Sequence, residues 1–201
     1  RMNKLDADIV IFGAGISGLW TFHHLKRLGY NAVLLESGSI GSGQTIASQG
    51  IVHSGLKYVF SGKLNDLAKS ISEMPDRWRS ALRAEGPVDI SEAEKMASSQ
   101  HLLIPSGLMR GLLELVTTRA LGNKVKKVGK SEWPAGLQQS GFTGTAIFMD
   151  EPVLDAGGVV KALASPFRDS IRKIDWPSGV RFSQNNAGAI EEIILNEDTA
   201  I

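Results

Sequence analysis

The sequence predicts an α/β fold that opens on a parallel β-α-β unit, and three observations predict it. Residues Ala7–Phe12 (ADIVIF) form a short apolar, β-branched run ending at a glycine, as a buried parallel strand does. Ile16, Leu19, Trp20, Phe22, Leu25 and Leu28 then recur at helical spacing until Gly29 stops the helix. Asn31–Glu36 (NAVLLE) repeats the buried-strand pattern, and two such strands joined by a helix pair in parallel through a right-handed crossover.

The turn between the first strand and the helix reads Gly13-Ala14-Gly15-Ile16-Ser17-Gly18, which fits G-x-G-x-x-G. Alone the pattern is weak. Here it follows a strand, opens a helix, and precedes a second strand that ends in an acid, which together make a Rossmann-type dinucleotide fingerprint. Gly13 allows the tight turn, Gly15 lets backbone lie against a pyrophosphate, and Gly18 lets the helix pack closely on the strand. The N–H groups and positive dipole end around Ile16 and Ser17 then hold the anion. Glu36 is expected to accept hydrogen bonds from the adenosine ribose. The residues after it, Ser37, Gly38 and Ser39, offer no cation for a 2′-phosphate.

Beyond Glu36, residues 37–61 are predicted as loop. Lys63–Ala84 reads as a helix interrupted near Pro75, with Leu64, Leu67, Ala68, Ile71, Trp78 and Leu82 on one face. Further strands are expected at His101–Ile104, Ala146–Met149 and Ile190–Leu195, the last after a turn at Asn186–Gly188. Helices are expected at Leu108–Leu121 and from Ala156 to Ala164. The final residues, Asn196–Ile201, resemble a hairpin turn entering a strand that does not continue, so the chain reads as the N-terminal part of a longer protein.

Composition narrows the function classes. With 22 Lys+Arg against 21 Asp+Glu, and a net charge of +1, the chain carries no electrostatic footprint for nucleic acid or a membrane surface. The basic run at Lys124, Lys126, Lys127 and Lys130 is broken by Val125, Val128 and Gly129 and reads as a solvated strand face. The absence of cysteine excludes disulfides and thiolate metal sites and fits a cytoplasmic setting. No metal site is expected: His23 and His24 are adjacent on a helix and read as surface or packing residues, and His101 has no ligand at suitable spacing. The tryptophans at 20, 78, 133 and 176 read as packing residues.

FAD and NAD share the fingerprint, and the next stretch separates them. Residues 41–58, GSGQTIASQGIVHSGLKY, are long, rich in small residues and poorly periodic, where a nicotinamide domain would continue into another β-α unit. The GAGISG turn, the LLE strand end and ASQGIVHSGLKY resemble the D-amino-acid oxidase superfamily of flavoproteins. Within it the likeness is greatest to the glycerol-3-phosphate and L-2-hydroxyglutarate oxidoreductase branch, whose S-x-x-x-x-H-x-G-x-x-Y segment is similar. Glu151–Leu163 more weakly resembles the family's D-x-x-G-x-x-x-A-L helix.

The resemblance implies FAD as cofactor. It places Ser42, Gly43, Thr45, Ala47, Ser48 and Gln49, with Ser37, along the pyrophosphate and flavin, and Gly50 where backbone passes the isoalloxazine. His53 matches a histidine beside the flavin in that branch, where it would take a proton from a substrate hydroxyl as hydride moves to the flavin. Lys57 and Tyr58 read as solvated and packing residues. Family members are longer, with a later glycine-rich segment and substrate-binding residues beyond this chain's end.

The expected architecture is therefore a Rossmann-type FAD-binding lobe with a mixed α/β substrate lobe inserted. Residues 1–84 form the first cofactor segment, 85–150 part of the substrate lobe and 151–201 a truncated return. The expected function of the parent protein is FAD-dependent oxidation of a small molecule at a C–H next to a hydroxyl or amine, with a 2-hydroxy acid or polyol phosphate as first substrate class. An amino-acid oxidase or dehydrogenase and a non-catalytic FAD- or NAD-binding module are the alternatives, and the sequence names no electron acceptor.

Overall fold

Leu34 at the centre of the second strand is wholly buried between two parallel neighbours, and the first unit of the fold is organised around it. The structure is a computed structural model and describes residues 6–55, 70–106 and 125–195. These fall into two compact units: residues 6–48, 81–93 and 156–195 form one, and residues 49–55, 70–80, 94–106 and 125–155 the other. The predicted helix at Leu108–Leu121, most of Lys63–Ala84 before Pro75, and the turn after Leu195 lie outside the described residues.

In the first unit, β1 (Ile9–Phe12) pairs in parallel with β2 (Ala32–Glu36), Ile9 against Ala32 through Phe12 against Leu35. Helix α1 (Ile16–Arg27) makes the crossover. Its buried residues Leu19, Phe22 and His23 are spaced for one face, and each of the two apolar side chains contributes about 1.5–3 kcal/mol by leaving water. The third parallel strand is β8 (Ile171–Lys173), which joins β2 with Leu34 opposite Ile171. Ahead of it, helix α4 (Ala156–Ala164) buries Val159, Ala162, Leu163 and Ala164. An antiparallel hairpin of β9 (Val180–Gln184) and β10 (Ile190–Leu195) follows, turning at Gly188. Val180 and Ile174 pack with Leu35 in a core that Val10, Val33, Ile193 and Leu195 border.

In the second unit, β6 (Gly144–Met149) is the centre of an antiparallel sheet between β4 (Gln100–Pro105) and β5 (Val125–Val128). The lysines of β5 behave as a solvated strand face: Val125 and Val128 are buried while Lys126 and Lys127 are exposed on an edge strand. Trp133 is buried against Val128 and Ala146, and its indole N–H donates to the Val128 carbonyl at 3.3 Å. The short helix α3 (Ala135–Gln139) adds Leu137 to that cluster. A two-stranded pair of β3 (Lys95–Ala97) and β7 (Val153–Leu154) completes the unit. Helix α2 (Met74–Leu82) starts one residue before Pro75, because proline fits the first turn, where its missing N–H costs nothing. Trp176 departs from the packing expectation: it is 52% exposed on the hairpin side, 5.5 Å from the Phe12 ring. No helix of the described residues is long and apolar enough to cross a membrane.

His23 ties the first unit together. Its Nδ1–H donates to the Leu163 carbonyl at 3.1 Å, and Nε2 accepts the Asp89 N–H at 3.3 Å, which requires the neutral ring. Burial pushes its pKa below the usual 6.5, with Arg27 and His24 acting in the same direction and the Leu163 carbonyl and Asp89 opposing. The unfolded chain therefore takes up the proton first. The stability His23 contributes is present above pH 6.5 and is lost as pH falls below that value toward the lowered one. His23→Gln is expected to cost about 1–3 kcal/mol near neutral pH. It is also expected to flatten the fall in thermal midpoint between neutral and mildly acid pH, and an equally steep fall in the variant would show that His23 does not cause it.

Candidate functional site

The end of β1 delivers Gly13 in a left-handed conformation, φ +97°, and α1 starts three residues later with Gly15 as its N-cap. A side chain at Gly18 would overlap the Gly13 carbonyl oxygen, so the helix approaches the strand end more closely than any other residue permits. The helix mouth suits an anion. Gly15 contributes no capping side chain and the first turn holds no acid, so no residue of the helix itself neutralises its positive end.

Glu36, at the tip of β2, reaches this turn. Its Oε2 accepts the Ala14 N–H at 2.5 Å and its Oε1 accepts the Gly38 N–H at 2.6 Å. A carboxylate has about four acceptor positions, so each oxygen keeps room for one further donor, such as a pair of ribose hydroxyls. Thr45 comes from the following loop, and its Oγ1 accepts the Ile16 N–H at 3.0 Å, which sets a hydroxyl at the helix mouth. A Cβ at Gly15 would lie 3.4 Å from that hydroxyl. The donors, the close-packed glycines and the acid at the strand tip therefore fit a dinucleotide with its diphosphate against α1 and its sugar at Glu36.

The remaining loop residues vary in placement. Ser37, Ser42, Gly43, Ala47, Ser48 and Gln49 are exposed. Gly41, which sequence reasoning left out, is held by its N–H on the Ala14 carbonyl at 2.8 Å, and its conformation has φ +71°. Gly50 has a packing reason of its own: a Cβ there would overlap the carbonyl oxygen of Leu154, and Leu154 donates its N–H back to the Gly50 carbonyl at 2.9 Å.

In the second unit the chain around His53 runs antiparallel to the segment after β6. Ile51 bridges Val153, and the Val52 N–H donates to the Pro152 carbonyl at 3.0 Å. The two stretches that carried the sequence resemblance outside the turn thus lie side by side. Between them sits Glu151, 1% exposed and missed by sequence reasoning. Its Oε1 accepts the Ser54 N–H at 2.7 Å and the Ser54 hydroxyl at 2.8 Å; its Oε2 accepts His53 Nδ1 at 3.2 Å and the Gln100 side-chain amide. Burial alone would raise this carboxyl's pKa. The bonds from Ser54, Gln100 and His53 together outweigh that effect and hold it below the usual carboxylate range. The acid before Pro152 was visible in the sequence, but nothing local marked it as buried.

The family model for FAD dependent oxidoreductases, DAO, matches residues 8–192. Among curated proteins, the probable FAD-dependent oxidoreductase PA4991 of Pseudomonas aeruginosa is 36% identical over 167 residues, which are 83% of this chain and 43% of that protein. The crystal structure of PA4991 superposes with a TM-score of 0.75 at 26% identity, covering 98% of this chain and 45% of the other. Glycine oxidase from Geobacillus kaustophilus matches at 0.63 and 19% identity, over 95% and 53% of the two chains. L-Amino acid deaminase from Proteus myxofaciens matches at 0.65 and 14%, over 96% and 43%, and these two likenesses concern the fold. The chain spans less than half the length of PA4991, and the expected affinity with the glycerol-3-phosphate and hydroxyglutarate branch finds no support in these relatives. On the family match and the PA4991 likeness, this chain belongs to the DAO family of FAD dependent oxidoreductases.

Proposed function

We propose that the whole protein binds FAD at the N-terminus of α1 and oxidises a small substrate at a C–H next to a hydroxyl or amine, with His53 as the proton acceptor. The observation that carries the cofactor reading is the Glu36 carboxylate bonded to the Ala14 N–H inside the glycine turn, which brings an acid to the start of a helix whose N-cap is a glycine. Gly13, Gly15, Ile16, Ser17, Gly18, Glu36 and Thr45 would hold the nucleotide. Ser37, Ser42, Gly43, Ala47, Ser48, Gln49 and Gly50 remain the proposed flank toward the flavin. Residues 85–150 remain the proposed contribution to a substrate lobe. When bound, FAD supplies the hydride acceptor.

The His53–Glu151 pair favours a hydroxyl substrate. A hydroxyl holds its proton tightly at neutral pH and gains from a positioned base, whereas an amine can react from its neutral form with its own lone pair. The second reading is an amino-acid or other amine substrate. It is favoured by the amine-acting enzymes, glycine oxidase among them, that share the fold.

The purified whole protein is expected to show flavin absorbance bands. Glu36→Ala removes hydrogen bonds to a charged acceptor and is expected to weaken FAD retention about 10- to 100-fold. Gly18→Ala is expected to lose FAD while also lowering the melting temperature. A colourless wild-type protein stabilised by NAD instead would overturn the cofactor assignment.

Anaerobic mixing with glycolate, D- and L-lactate, L-2-hydroxyglutarate, glycerol 3-phosphate, glycine and D- and L-alanine distinguishes the substrate classes by which compound bleaches the flavin. His53→Ala is expected to slow that bleaching about 10²- to 10⁴-fold. Bleaching by the variant at the wild-type rate would remove His53 from the reaction.

A further inference from the structure

We propose that Glu151 is the positioning residue of His53, fixing which ring nitrogen carries the hydrogen and balancing the charge the ring gains on accepting a proton. The proposal rests on the reading of His53 as the proton acceptor.

The argument starts from cost. A carboxylate taken out of water is expensive unless its oxygens are fully bonded, and Glu151 is 1% exposed. Its four donors come from both sides: Ser54 supplies two to Oε1, while His53 and Gln100 share Oε2. With Oε1 held by two donors from one residue, the carboxylate plane cannot turn away from His53. An ionised carboxylate only accepts hydrogen bonds, so His53 Nδ1 must carry the hydrogen. The neutral ring therefore keeps its lone pair on Nε2, which has no hydrogen-bond partner among the described residues. The His53 side chain is 54% exposed while its partner is sealed, so the pair is anchored inside and open at its tip.

The chemistry balances on these atoms. A substrate O–H bond breaks, its electron pair stays on oxygen, and an Nε2–H bond forms on His53. The ring becomes an imidazolium with N–H on both nitrogens, and its new charge sits against Glu151 Oε2 at 3.2 Å. A wrong tautomer would instead present an N–H where the lone pair is needed. A purely structural Glu151, pinning residues 50–54 to 151–154 through Ser54, would leave the reaction rate independent of which ring nitrogen carries the hydrogen.

The test is nitrogen NMR of the whole FAD-bound protein labelled with ¹⁵N-histidine, above neutral pH, with the His53 signals assigned by their loss in His53→Gln. The wild type is expected to show His53 protonated at Nδ1 and bare at Nε2; the reverse overturns the proposal without any variant, so it stays falsifiable even where Glu151→Gln does not fold. In Glu151→Gln the amide oxygen must remain at the Ser54 donors, which turns the amide N–H₂ toward His53 Nδ1. The expected result is a switch to the Nε2–H tautomer, with bleaching by the compound that bleaches the wild type falling on the order of 10³-fold. An unchanged tautomer, or a switched tautomer with the wild-type rate, overturns the proposal while leaving His53 as base. If His53→Ala itself bleaches at the wild-type rate, the underlying reading has failed, and that outcome is distinct from the other two.

Discussion

The glycine turn at the end of β1 is the constraint on which the first unit depends. Because nothing projects from Gly18, α1 begins directly over the Gly13 carbonyl, and its first N–H groups emerge at the tip of the parallel sheet. Glu36 reaches the same tip from β2 because Phe12 and Leu35 are in register. One close contact between helix and strand therefore fixes both an anion-receptive helix end and an acid beside it. Substituting a larger residue at Gly18 would separate the two before it disturbed the apolar core made by Leu19, Phe22 and Leu34.

What could be read from the sequence was what local chemistry dictates. The order of β1, α1 and β2 follows from consecutive patterns over about thirty residues, each bounded by a glycine. The lysines of β5 were readable because Val125 and Val128 bracket them, and β10 because a turn at Asn186–Gly188 precedes it. The elements that escaped include Val180–Gln184, whose strand geometry rests on pairing with β10. The shortest, Ile171–Lys173 and Val153–Leu154, hold only two or three residues and owe their strand geometry to partners distant in sequence, Leu34 and Lys95 among them. Such strands carry no periodicity to detect.

The site divides in the same way. Gly13, Gly15, Gly18 and Glu36 announce themselves by spacing, whereas Gly41, bonded to Ala14, and Glu151, bonded to Ser54 and His53, acquire meaning only when remote segments meet. A glutamate in an Asp-Glu-Pro run reads as surface in any composition-based view, since charged residues are seldom fully buried. Its burial is tolerated because four donors converge on it, two of them from a single serine. Family resemblance had singled out both His53 and the segment beginning at Glu151, yet it could not show that they touch.

The central claim concerns where a dinucleotide rests, and a crystal structure of the whole protein purified with its cofactor tests it most directly. The account predicts the diphosphate within hydrogen-bond distance of the N–H groups at the start of α1, and the adenosine ribose hydroxyls on Glu36. A dinucleotide bound elsewhere, with the start of α1 in contact with side chains alone, would contradict it.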